Sequence, residues 1–217
     1  ILDGVALIGL VAMALRSPYS VERPKRLMAV HAMQEGKSAL LLMSQDYPPL
    51  APALSGLSDA TAVPPDEKWG SFIPPGWLPP WSHKLPAPPL SGPPPRIETL
   101  GRSDDAAQGP RPPRWRLHPR GWVTFVHIPR APVVGWSLGD PLPQPIEGQS
   151  TITALFVAPN PAGQDFTLQL RGAAPVQVTV VEAGAPDPSP TLSQLPARLP
   201  AWTTLNARTL QIVNVPL

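Results

Sequence analysis

Proline is the residue that most limits how this chain can fold, because it makes up 35 of the 217 residues. The usual share is about 5%. Proline removes a backbone donor and breaks helix interiors, which excludes long helices, and sheets tolerate it mainly on edges and at bulges. Hydrophobic residues at 42% and seven tryptophans still supply enough apolar surface for a core. We therefore predict an all-β fold, an antiparallel, jelly-roll-like β-sandwich with long proline-rich loops.

Alternation of apolar and polar residues predicts nine short strands. The alternation is clearest in 166–171, where Phe166, Leu168 and Leu170 share one face, and it recurs in 176–182. We expect these two segments to pair as an antiparallel sheet with one solvated side. The other predicted strands are 26–33, 38–44, 114–117, 121–128, 133–138, 150–157 and 208–215.

Turn and loop residues separate these strands. Glu35-Gly36 predicts a hairpin turn, and 160–165 predicts a second one. The proline-rich stretch 74–113 is interpreted as one long loop that wraps the sandwich.

One short helix is expected near Leu192. Ser189 has the residue type of an N-cap, and Pro190 suits the first turn. Pro196 should limit the helix to a turn or two, because proline removes a helical donor.

The chain begins with an apolar run, Ile1–Leu15, that ends at Arg16. Fifteen residues are fewer than the approximately 20 that cross a hydrocarbon core. We interpret residues 1–16 as the end of a membrane helix and 17–217 as one extracytoplasmic sandwich domain. A signal-peptide remnant or a buried helix is the alternative, although no basic stretch precedes the apolar run.

The charge of the chain gives little support for nucleic-acid binding, since the net charge is only +2. The exception is a basic cluster of Arg111, Arg114, Arg116 and Arg120, with Trp115 and Trp122 interleaved. Such a cluster can bind single-stranded nucleic acid. The alternation equally fits a strand with an apolar inner face and a solvated outer face, which is the interpretation we favour.

No catalytic or metal-binding motif is present. Cysteine is absent, which excludes disulfides and thiolate sites. His31, His83, His118 and His127 lie far apart in sequence and outside any zinc-ligand spacing. His127 is expected to be a packed strand histidine. There is no nucleophile elbow, P-loop or dinucleotide fingerprint, so we predict no catalytic residue, metal ligand or cofactor in this chain.

An aromatic loop is the best candidate for a docking or ligand surface: Trp69, Phe72, Trp77 and Trp81 fall in one proline-broken segment. Tryptophans near a membrane often lie at its interface. Three alternatives stand. The aromatic residues close one end of the core, dock on the membrane or on another part of the protein, or clasp a soluble ligand such as a sugar or peptide.

Several stretches together resemble the C-terminal luminal domain of membrane-anchored zinc exopeptidases of the endoplasmic reticulum metallopeptidase type and their bacterial relatives. Each stretch is short, but their order agrees over most of the chain. They are the apolar N-terminal segment with Pro18-Tyr19-Ser20, Pro24–Leu27 with His31, Trp136–Gly139, Leu192–Leu199, Pro200–Trp202 and Arg208–Leu217.

The resemblance implies that the two-zinc peptidase domain lies upstream, with membrane helices between it and this domain. No residue here matches a zinc ligand of that family. The proline and alanine load and the lack of cysteine suggest a bacterial protein, membrane-anchored on the periplasmic or extracellular side. Its expected partners are the upstream peptidase and membrane domains of the same protein, and the membrane surface is a further candidate.

The sequence thus predicts a non-catalytic accessory domain of a zinc aminopeptidase-like protein, serving in structure, docking or substrate access. One alternative is an independent carbohydrate- or peptide-binding sandwich that uses the aromatic loop. Another is a stand-alone hydrolase whose site is assembled only by the fold.

Overall fold

A computed structural model of the chain describes residues 25–44, 54, 56–64, 69, 83–101, 112–137, 150–172, 175–187 and 189–217. These residues form two sheets and one helix, which confirms the all-β prediction in a sandwich-like arrangement. The predicted membrane segment, 1–16, lies outside them. The described part of the chain contains no helix that is both long and apolar enough to cross a membrane.

Eight strands form the larger sheet, in the order β3-β4-β2-β1-β12-β11-β7-β9. All neighbours are antiparallel except β1 and β12, which run parallel. In chain order the strands are β1 (Lys25–Gln34), β2 (Lys37–Ser44), β3 (Thr61–Ala62), β4 (His83–Pro86), β7 (Val123–Pro129), β9 (Thr151–Val157), β11 (Gln177–Gly184) and β12 (Thr203–Pro216).

Four strands form the smaller sheet, in the order β5-β6-β10-β8. They are β5 (Arg96–Gly101), β6 (Arg114–His118), β8 (Val133–Trp136) and β10 (Gln164–Leu170). The helix α1 (Pro190–Arg198) lies between β11 and β12 in the chain.

One face of the larger sheet, called here the inner face, is covered by two different layers. The smaller sheet packs on β7, β9 and β11, where Phe166 and Leu168 meet Val126 and Val180. Helix α1 packs on β1, β2 and β4 through Leu192, Leu195 and Leu199. The opposite, outer face carries a third apolar cluster. The inner face therefore passes from one apolar core to another along its width.

All nine predicted strands are present, but the pairing predicted for 166–171 and 176–182 is wrong. These segments form β10 and β11, which belong to different sheets. Their apolar faces meet across the sandwich, since Phe166 and Val178 share one core cluster. Alternation shows which side of a strand is buried. It does not show whether two such strands are neighbours in one sheet or face each other from two sheets.

The stretch 74–113 was expected to be one loop, and this is wrong in part, because it contains β4 and β5. The sequences of these strands hide them: β4 ends in proline, and β5 is exposed at most positions. The Glu35-Gly36 hairpin is confirmed, with positive φ at both residues. A turn does form at 160–163, but it joins strands of different sheets instead of a hairpin, and Gln164 begins β10.

The predicted helix is confirmed and is longer than expected. The Ser189 hydroxyl accepts a hydrogen bond from the Leu192 amide at 3.2 Å, and Pro190 occupies the first turn. The helix continues through Pro196 to Arg198. Leu192 and Leu195 are buried against the sheet, and this packing offsets the hydrogen bond that proline removes.

Candidate functional site

The predicted aromatic surface is only partly within the described residues. Trp69 is 8% exposed and packs in the outer-face cluster with Val30, Leu41 and Phe125. This placement corresponds to the core-closing alternative. Trp69 also lines a cavity of about 260 Å³ beside β2 and β4. Phe72, Trp77 and Trp81 lie outside the described residues, so a shared surface of the four remains a prediction.

The basic cluster follows the strand interpretation. Trp115 and Leu117 of β6 point into the core, and Trp115 stacks on Phe166 at 5.8 Å between ring centroids. On the other side of the strand, Arg114 and Arg116 both bind Asp165 of β10. The hydrogen bond from Arg116 lowers the pKa of the Asp165 carboxyl. Arg114 and Arg116 thus lie on the solvent side of β6 and are ion-paired. Arg111 lies outside the described residues.

The four histidines stand at separate positions. His31 is buried on β1, with Nε2 2.7 Å from the Pro88 carbonyl oxygen. His127, on the outer face, has Nδ1 2.8 Å from the Thr153 hydroxyl oxygen, and burial lowers its pKa to about 4. His118 pairs with Glu98, and His83 begins β4. Within the described ranges, no three side chains of the types that hold metals come together.

The feature that sequence reasoning missed is a row of buried polar residues across the inner face. Thr124 of β7, Glu182 of β11 and Gln211 of β12 are direct cross-strand neighbours. All three are buried, Glu182 at 4% and Gln211 at 8% exposure. They interrupt the apolar clusters of the inner face, since none of the three belongs to either cluster. The depression lined by Glu182 and Gln211 is called here the polar cleft.

Glu182 is the charged centre of the polar cleft. Its Oε1 accepts hydrogen bonds from the backbone amides of Arg120 and Gly121, the latter at 2.5 Å. A Cβ at Gly121 would lie 2.6 Å from Glu182 Cγ, so only glycine permits this approach. Within the described residues, no lysine, arginine or histidine forms an ion pair with Glu182. A buried carboxylate normally has such a partner.

Buried polar atoms without partners lie on the strands near Glu182. Gln211 Nε2 and Thr124 Oγ1 are buried and lack a hydrogen-bond partner among the described residues, as does His31 Nδ1 nearby on β1. Native structures contain few such groups, and each calls for an explanation, such as a bound molecule. Of the three residues, Gln211 lines the polar cleft, and its Nε2 without a partner among the described residues indicates that the cleft is built to hold something.

The walls of the polar cleft come from three connections. Ser91 and Gly92 form one side, and Asp187 holds this loop by accepting hydrogen bonds from the Ser91 amide at 2.7 Å and hydroxyl at 2.9 Å. Leu90 and Pro93 add apolar surface. Arg120 lies exposed at the rim. The cleft has a volume of about 250 Å³ and is open to solvent.

A sequence signal for this site exists in hindsight. In 176–182 the inward positions are Val176, Val178 and Val180, and the next inward position is Glu182. A carboxylate that continues the buried side of an alternating strand marks either an unusual burial or a strand end. Gln211 has no comparable signal, because its lack of partners depends on how three strands are arranged.

Comparison with known proteins found no matching family model, no matching curated protein and no matching solved structure.

Proposed function

We propose that this chain is a non-catalytic, extracytoplasmic accessory domain of a membrane-anchored zinc aminopeptidase-like protein. It serves in structure, docking or substrate access, and the two zinc ions belong to a peptidase domain upstream. The proposal begins from the short stretches that resemble such domains. The structure supports it because some of these stretches lie next to one another in the fold.

Stretches that are far apart in sequence meet at one end of the larger sheet. The Lys25 amide donates a hydrogen bond to the Trp202 carbonyl at 2.8 Å, at the point where β1 and β12 begin side by side. Helix α1, which immediately precedes Trp202, packs on Leu27 of β1. The described parts of the resembling segments, 25–27, 192–199 and 200–202, thus form one local unit, as parts of one domain type would. This observation carries the proposal.

The same unit gives the proposed domain an orientation. Residues 17–24 connect the predicted membrane segment to β1, and eight extended residues span at most about 29 Å. If residues 1–16 are inserted, the end of the sheet at Lys25 and Trp202 must lie near the bilayer. The hairpin at Glu35-Gly36 lies at the other end of β1, about 30 Å away along the strand.

Site-specific labelling tests this orientation, because the chain has no cysteine of its own. Ala201→Cys and Lys37→Cys place single thiols at exposed positions near the two ends of β1. We expect a fluorophore at position 201 to be quenched by nitroxide-labelled lipids in vesicles, and one at position 37 to be quenched much less. Deletion of residues 1–16 should abolish the quenching at position 201. Equal quenching of the two labels would reject the proposed orientation.

The non-catalytic role makes a separate prediction. The purified chain should neither hydrolyse an aminoacyl reporter nor retain zinc after dialysis. Metal analysis of the chain and a chelator-sensitive activity assay check this result. About one tightly bound zinc per chain, together with hydrolysis that a chelator stops, would replace the accessory role with the stand-alone hydrolase.

The independent binding module remains the second candidate, and the polar cleft is the observation that favours it. A cleft with unsatisfied buried groups has a use in a domain that binds a ligand by itself. The sequence upstream of Ile1 separates the two proposals: a multi-pass membrane region after a zinc peptidase domain supports the accessory role, and a lone signal peptide supports the binding module.

A further inference from the structure

We infer that the polar cleft binds the amino terminus of a peptide, with the ammonium group on Glu182 and the first carbonyl oxygen on the side-chain amide of Gln211. This inference rests on the described residues of the cleft alone. It does not depend on membrane anchoring or on an upstream peptidase, so its failure and that of the proposed function are separate results.

The charge of the cleft favours an ammonium ligand. Two backbone amides satisfy one oxygen of Glu182, and the buried carboxylate forms no ion pair within the described residues, because Arg120 lies exposed at the rim. Burial of an unpaired charge is costly, and a cation that enters the cleft removes this cost. A neutral sugar would supply hydrogen bonds without the missing charge. Metal binding is disfavoured, since the described part of the chain holds no cluster of three suitable side chains.

The neighbour of the carboxylate selects a particular kind of amine. Gln211 is directly opposite Glu182 on the same face, and such cross-strand residues have Cβ atoms about 4.5–5.5 Å apart. Its Nε2 is a buried donor without an acceptor. A peptide amino terminus carries an ammonium group and a carbonyl oxygen within a few bonds of each other. It can therefore satisfy the carboxylate and the amide at the same time.

The size and walls of the cleft fit one or two residues of such a peptide. The cleft, with a volume of about 250 Å³, has room for several water molecules. Leu90 and Pro93 offer apolar surface to a small first side chain, and the open side beside Arg120 lets the rest of the peptide leave.

Binding of alanyl-alanine amide to the full chain in mild detergent tests the inference, with chemical-shift changes in NMR spectra as the measurement. We expect saturable binding of this ligand and none of its N-acetyl form, which lacks the ammonium group. Propylamine, which lacks the carbonyl, should bind more weakly than the dipeptide amide. Equal binding of the acetylated ligand, or no saturable binding at millimolar concentration because the cleft holds only water, would overturn the inference.

Two variants identify the residues. In Glu182→Gln the amide oxygen can still accept from the two backbone amides, so the fold is retained while the charge is lost. We expect its affinity to fall about tenfold or more, as for loss of a charge-assisted hydrogen bond. Glu98→Gln makes the same chemical change at an exposed position of the smaller sheet and should bind as the wild type does. Loss of affinity in Glu98→Gln, or its retention in Glu182→Gln, contradicts the site.

Gln211→Leu separates a ligand-binding role from a structural one. Removal of a buried amide whose Nε2 has no partner among the described residues should leave the melting temperature unchanged or raise it, because no hydrogen bond from that nitrogen to the described residues is lost. We expect this variant to bind the dipeptide amide several-fold more weakly, and to bind propylamine as the wild type does. Unchanged affinity for the dipeptide amide would exclude contact between Gln211 and the ligand.

Discussion

Replacement of Trp69 by alanine is expected to lower the free energy of unfolding by about 3–5 kcal/mol, the usual cost of truncating a large buried aromatic residue. Trp69 packs against Phe125 and Val181 on the outer face of the larger sheet, with 8% of its surface exposed. Its removal would leave a cavity that the surrounding strands are too constrained to fill. Urea denaturation followed by circular dichroism measures the effect.

Trp122→Ala is the matched control for this experiment. Trp122 is 51% exposed, and its ring contacts the Arg208 guanidinium at 4.9 Å from the ring centroid. An exposed contact of this kind contributes about 0.5–1 kcal/mol, so a much smaller loss is expected. If Trp69→Ala instead lowers the free energy of unfolding as little as Trp122→Ala does, Trp69 is not a core residue. The docking surface predicted for the aromatic loop would then include it.

The difference between these two tryptophans illustrates what sequence reasoning can reach. Alternation on β6 correctly places Trp115 inside and Arg116 outside, because a strand has only two faces and the pattern distinguishes them. Trp69 lies outside such a pattern, in a segment rich in proline, and Trp122 lies at the start of the predicted strand 121–128, just before β7 begins at Val123. Their burial depends on which surface the connecting segment happens to cover.

The pairing of the strands could not be predicted from the sequence for a related reason. The inner faces of β10 and β11 were predicted correctly, yet the two strands belong to different sheets. Neither does the local sequence of β12 reveal that it lies parallel to β1. Such a pairing joins residues nearly the whole chain length apart, and nothing in either strand specifies the partner.

The polar cleft combines both situations. The position of Glu182 on the buried side of an alternating strand is visible in the sequence, whereas its meaning is not. The meaning comes from Gln211 and Thr124, which only the order of β7, β11 and β12 brings beside it.

Acidification should destabilise the protein through His127, by about 2 kcal/mol between pH 7.5 and pH 5. Burial between Phe125 and Thr153 lowers the pKa of His127 from 6.5 to about 4. The folded chain thus holds this histidine neutral over a range in which the unfolded chain binds a proton. Stability from this group is complete above about pH 6.5 and is lost progressively as the pH falls towards 4.

Urea denaturation of the wild type and of His127→Gln at a series of pH values from 7.5 to 5 isolates this contribution. The variant has no titrating group at position 127, so its free energy of unfolding should vary less with pH by about 2 kcal/mol over that range. The pKa values of Asp59, Glu98 and Asp165 are lowered by their basic partners. The stability that these carboxylates contribute is therefore lost only at lower pH, outside the range in which His127 is measured. Parallel pH profiles for the two proteins would show that the ring of His127 reaches solvent in the folded state, and the interpretation of this histidine as a packed strand residue would then be wrong.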